Sequence, residues 1–106
     1  MSTLEDFQQL PVYKKIRAIK DIDVQNSNSD ELFEFFISII EDESNYNLLE
    51  ATTDQLNQMK HSLEEETWKD ALIRITYLKN NNTDEILDIV YSNVITILNE
   101  YRDEEE

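Results

Sequence analysis

The chain contains no glycine and no cysteine, and only one proline, one histidine and one tryptophan in 106 residues. Each shortage excludes something. Without Gly, tight β-hairpins lose the residue that adopts positive φ, and phosphate-cradling loops lose the residue that permits close backbone approach. An all-β domain and a nucleotide-binding α/β domain are therefore poor fits. Without Cys there is no disulfide, no thiolate metal site and no thiol nucleophile. A reducing compartment suits such a chain, and the expected location is cytoplasmic. The start, MSTLEDFQQL, lacks the basic and apolar regions of a signal peptide. The apolar runs are short, as in Phe35-Phe36-Ile37, so no membrane span is expected.

Positive charge is scarce as well. There are 24 Asp and Glu against 9 Lys and Arg, a formal net charge of -15. A field of that sign draws basic partners and repels nucleic acid and anionic membranes. Four of the cations, Lys14, Lys15, Arg17 and Lys20, sit close together near the start. Against so much acid they read as a counterweight pairing with acids on the next helix, rather than as a phosphate-binding patch. What is present in quantity is apolar: 40% of residues are hydrophobic. At this length a single domain buries roughly two-thirds of its unfolded surface. The expectation is one domain over residues 1–106, with 103–106 a frayed acidic tail.

Helical periodicity runs through the whole chain. A short helix is expected from Thr3 to Leu10, capped by Ser2 or Thr3. A second runs from Pro11 to about Ile22, with Val12, Ile16, Ile19 and Ile22 inward. A third starts at Asn28 or Ser29, and its Leu32, Phe33, Phe35, Phe36, Ile37, Ile39 and Ile40 leave a narrow polar stripe of Glu31, Glu34, Ser38 and Glu41. So apolar a helix must lie at the centre of the core. A fourth covers about Asn45–Lys60, with Leu49, Thr52, Leu56 and Met59 inward and Glu50, Asp54, Asn57 and His61 on the wet face. A fifth covers about Glu65–Lys79, with Trp68, Ala71, Leu72, Ile75 and Leu78 inward. Its Glu65–Lys69 and Asp70–Arg74 pairs are spaced for ion pairing worth roughly 0.3 kcal/mol each. A sixth starts at Asn82 or Thr83 and reaches about Arg102, burying Ile86, Val90, Val94, Ile97 and Tyr101. The fold class is all-α, with five or six antiparallel helices.

The segment Asn28–Phe36 matches Asn82–Val90 in residue type at every position. Two capped amphipathic helices can look alike by chance; a stacked helical-hairpin array would also produce the echo. The stretch DELFEFFISIIEDESNYNLLEATTDQLNQM, residues 30–59, resembles a HEAT-type repeat: an apolar helix, a short acidic turn and a second helix holding Ala51. Residues 66–75, ETWKDALIRI, resemble another second helix of that kind, although the usual Pro and Gly of the turns are missing. The resemblance implies a short right-handed α-α superhelix; a closed helical bundle is the alternative. Small acidic HEAT-like proteins also resemble bacterial immunity proteins made against toxins, and that likeness implies a non-catalytic inhibitor.

Catalytic and metal signatures are sparse. His61 is the single imidazole, and its neighbour Ser62 would not face it on a helix. There is no Glu-x-x-His motif or EF-hand loop. No cofactor is expected. The partner expected is a basic protein, either a nuclease-type toxin or a DNA-binding protein. The candidate binding residues are Glu41, Asp42, Glu43, Tyr46, Glu50, Asp54, Glu64, Glu65 and Glu66. They would form a negative strip along the fourth helix with Tyr46 as its aromatic anchor. A phage-type DNA mimic and a structural adaptor remain as other readings.

Overall fold

Asparagine and aspartate side chains, Asn45 and Asp84, cap two of the helix starts. The computed structural model describes residues 3–26, 30–59 and 64–104. It contains α1 (Thr3–Gln8), α2 (Val12–Lys20), α3 (Asp30–Asp42), α4 (Tyr46–Gln58), α5 (Glu65–Asn80) and α6 (Glu85–Glu104). Among the described residues there is no strand.

Asn45 caps α4, its side-chain oxygen accepting from the Leu48 N–H at 3.1 Å. Asp84 caps α6, its Oδ1 accepting from the Ile86 and Leu87 N–H groups at 2.8 and 3.2 Å. That start falls later than the expected Asn82 or Thr83. The Asn82 side chain is engaged in the turn itself, donating to the Asp84 carbonyl at 2.6 Å and accepting from the Asp84 N–H at 3.2 Å. The expected caps at Asn28 or Ser29 and at Ser2, together with His61, lie outside the described residues. Pro11 precedes α2, and its carbonyl accepts from the N–H groups of Lys14 and Lys15. At its other end α6 runs to Glu104, past the expected Arg102.

α2 ends at Lys20 rather than Ile22. Of its terminal carbonyls, Arg17 accepts from the Asp21 N–H, while Ile19, and Ile22 just beyond the helix, accept from a residue of another helix. Gln55 of α4 is buried, and its Nε2 donates to the Ile19 carbonyl at 2.6 Å and the Ile22 carbonyl at 2.9 Å. A helix leaves its last four carbonyls without partners, and a glycine motif often satisfies them. Here a side-chain amide from α4 supplies a donor to the one at Ile19.

The helices pack in two layers. α2 lies on α4 and α4 on α6, while α3 lies on α5. α1 joins the second layer through Phe7, which meets Phe35 edge to face at 5.3 Å. The α3–α4 and α5–α6 contacts tie the layers together, as does Phe33 against Tyr101. The molecule measures 40 × 36 × 21 Å, and its short dimension is that of two helices at about 10–12 Å each. α3 supplies the centre of the core: Phe33, Phe36, Ile37, Ile39 and Ile40 are all buried. The expected inward residues of α4 are buried too, joined by Leu48, Ala51, Thr53 and Gln55. Thr52 and Thr53 satisfy their hydroxyls on the Leu48 and Leu49 carbonyls four residues back.

Two expected core positions are exposed. Val12 is 39% exposed and Ile86 55%. Each stands in the first turn of its helix. In α2 the buried positions are Lys15 and Ile19. Lys15 reaches Glu43 at 2.7 Å with its ammonium 5.7 Å from the Phe7 ring centroid. Lys14, Arg17 and Lys20 are exposed. Trp68, Tyr91 and Tyr101 belong to the core, and the Tyr101 hydroxyl donates to the Leu56 carbonyl at 2.8 Å.

Candidate functional site: an acidic cleft between α3 and α5

α3 and α5 run parallel, start beside start. Near their first turns the Thr67 hydroxyl donates to Asp30 Oδ2 at 2.9 Å. Further along, Arg74 of α5 gathers three carboxylates. Its Nη1 lies 2.8 Å from Glu34 and 3.2 Å from Asp70, and its Nε and Nη2 hold the two oxygens of Glu41. This bidentate grip on Glu41, before all other influences, pushes the already high guanidinium pKa higher. Arg74 is thereby a permanent cation pinning α5 to α3.

Above this clasp the two helix starts open into a cleft of about 740 Å³ lined by Asp30, Glu31, Glu34, Glu64, Glu66, Thr67 and Asp70. Six of the seven lining residues are acids. Arg74 engages two of them, Glu34 and Asp70, and is also committed to Glu41. Glu64 and Glu66 belong here for a local reason: acids at a helix start face the positive end of its dipole. Asp30 and Glu31 stand in the same way at the start of α3.

The expected strip is distributed over several surroundings. Glu64 and Glu66 line the cleft. Glu65 pairs with Lys69 one turn on. Glu41 is held by Arg74 and Glu43 by Lys15. Asp42 is exposed at the end of α3. Tyr46, Glu50 and Asp54 lie together on the solvent side of α4, in the other layer. Tyr46 is 37% exposed. The negative charge of Glu50, reinforced by a hydrogen bond to it, raises the Tyr46 phenol above its ordinary pKa. Asp54 stands between a groove shared with Lys20 and Ile22 and another shared with Asn93, Thr96 and Ile97. The structure thus gathers Glu64 and Glu66 with four acids outside the expected strip, Asp30, Glu31, Glu34 and Asp70, and leaves Glu50 and Asp54 in a different layer. The parallel pairing of α3 and α5, not visible in sequence, causes that regrouping. Only the i,i+4 pair Asp70–Arg74 hinted at it.

Among the described residues no three imidazoles or carboxylates form a metal-binding group, and no helix is long and apolar enough to cross a membrane. No protein-family model, curated protein or solved structure matches the chain.

Proposed function

We propose that the protein is a non-catalytic binding protein that takes a basic protein surface onto the α3–α5 cleft. The reading adopted for its biological role is an immunity-type inhibitor that covers the cationic, nucleic-acid-binding cleft of a nuclease toxin. The observation that carries the proposal is the concentration of Asp30, Glu31, Glu34, Glu64, Glu66 and Asp70 around one concavity, where among the described residues Arg74 is the cation paired with them. Such a site accelerates encounter with a basic patch and places carboxylates where substrate phosphates would otherwise lie. The order of packing, with each helical pair set on the next, supports a short α-α superhelix as the scaffold.

The test is affinity capture from the native host with three proteins: wild type, Glu31→Lys with Glu66→Lys, and Glu50→Lys with Asp54→Lys. All four positions are exposed, so circular dichroism should show unchanged helix content. The expected result is a basic partner whose nucleic-acid cleavage is blocked by the wild type. Reversal in the cleft should weaken it by more than about 2 kcal/mol, roughly 30-fold. Reversal on α4 should have the smaller effect. A captured DNA-binding protein without nuclease activity would instead make the chain a DNA mimic. A partner indifferent to both reversals and to salt would make it an adaptor and overturn the proposal.

A further inference from the structure

The most exposed apolar side chains of the described chain include two on α5. Ile73 is 70% exposed and Tyr77 68%. They are four residues apart, so they lie on one side of the helix. The cleft residues Glu66 and Asp70 continue the same line toward the helix start. The spacing of four, three and four residues from Glu66 through Asp70 and Ile73 to Tyr77 keeps all of them on one ridge at about 100° per residue. The ridge spans roughly 16 Å, eleven residues at about 1.5 Å each. One half of it is anionic and borders the cleft; the other half is apolar and faces solvent.

Among the described residues, Ile73 and Tyr77 belong neither to the core nor to the side chains packed against it. The core direction of α5 is set by Trp68, Ala71 and Ile75, and its flank toward α3 by Thr67, Asp70 and Arg74. Two large apolar side chains kept in water beside six carboxylates suit an occupant with the opposite arrangement. Lys or Arg would lie over the cleft and apolar residues over Ile73 and Tyr77. Parallel helices leave a groove between their ridges, and a third helix packs there in the ordinary way.

We infer that the Glu66–Tyr77 ridge of α5, with the cleft beside it, is a docking surface for a basic amphipathic helix of the partner protein. Its Lys or Arg side chains enter the acidic cleft, and its apolar side chains cover Ile73 and Tyr77. This rests on the reading of the cleft given above and adds the shape and polarity of what fills it. Charge alone recognises any cation; the apolar half supplies discrimination. Removing Ile73 and Tyr77 from water adds an affinity term that salt does not screen.

The test uses two peptides of about 18 residues, some five helical turns. The probe carries Lys on one half of one helical face and Leu on the other half. The control has the same composition in scrambled order. Titration calorimetry with the full chain should show the probe binding at least about tenfold tighter than the control. Ile73→Ser with Tyr77→Ser should bring the probe down to the level of the control and leave the control unchanged. Glu31→Lys with Glu66→Lys should weaken both peptides. If probe and control bind the wild type equally while charge reversal weakens both, the cleft reading stands and this inference is overturned. If charge reversal weakens neither peptide, the cleft reading itself fails. Sedimentation supplies the last outcome: a wild-type dimer that Ile73→Ser with Tyr77→Ser returns to monomer makes the ridge a self-interface and overturns the docking assignment.

Discussion

Replacing Gln55 with Met removes one amide and tests whether a glycine-free helix end depends on a side chain from a different helix. The two residues are of similar length, so packing at this buried position is largely kept. What is lost is a pair of N–H donors. The Ile22 carbonyl, at a half-buried residue, can take a water molecule in exchange. The Ile19 carbonyl is at a fully buried residue and keeps backbone contacts from the Ile22 N–H at 3.3 Å and from the Asp21 N–H. An unmade buried hydrogen bond costs about 1–3 kcal/mol, so the sum with one carbonyl partly rescued is roughly 2 kcal/mol. Urea unfolding followed by circular dichroism would read this directly, and the melting temperature should fall by roughly 10 °C. Gln55→Glu sharpens the test. An ionised Glu only accepts hydrogen bonds, so at neutral pH it would face two carbonyls with no proton to offer. Burial beside those carbonyls raises its folded-state pKa above the unfolded value of about 4.3. The difference in stability between the Glu and Met variants should therefore be small below about pH 4.3 and turn against Glu as pH rises through the raised value. Taking the difference cancels the other carboxylates, which both variants share. A loss below about 0.5 kcal/mol for Gln55→Met, the range of ordinary surface changes, would refute the capping role.

Phe36→Ala should cost about 3–5 kcal/mol in the same urea assay, since Phe36 is fully buried in α3; a cost under about 1 kcal/mol would mean that the core lies elsewhere. Arg74→Met should lower stability by about 1–2 kcal/mol. The side chain is 27% exposed, so solvent screens part of its attraction for Glu34, Glu41 and Asp70, and the loss should shrink in high salt. Tyr46 should titrate above the usual phenol value near 10, judged by subtracting the ultraviolet titration of Tyr46→Phe from that of the wild type. Because the neutral phenol is the form favoured in the fold, any stability it confers is complete below that value and disappears as pH climbs through the raised one. An ordinary titration would sink the Tyr46–Glu50 contact.

The parts of the fold that could be read ahead of the structure were those governed by local periodicity. The nearly continuous apolar surface of residues 32–40 placed α3 in the core because no orientation of that helix could solvate it. The Glu65–Lys69 and Asp70–Arg74 pairs are likewise local. Val12 and Ile86 escaped because periodicity assigns a face without showing which of its residues a neighbouring helix covers. Lys15 was read as part of a basic group, and its burial depends on Phe7 and Glu43, eight residues before it and 28 after. Gln55 carried no pattern at all, since its role depends on carbonyls of a helix more than thirty residues away. The cleft was half visible. Glu64 and Glu66 were marked as candidate binding residues, but their meeting with Asp30, Glu31 and Glu34 depends on α5 lying parallel to α3.

The layered packing has a kinetic consequence. Each helical pair rests chiefly on the pair beside it, α2 on α4, α4 on α6 and α3 on α5. In an arrangement of this kind a nucleus forms in one unit and spreads outward, with loop-closure entropy met in small steps rather than all at once. The α3–α4 pair, flanked on both sides, is the natural nucleus and the last to open. Its amides should exchange with deuterium only on global unfolding, whereas α1 and the end of α2 are released as soon as Phe7 and Gln55 let go. The same protein can therefore loosen at one end without exposing the α3–α5 surface to unfolding.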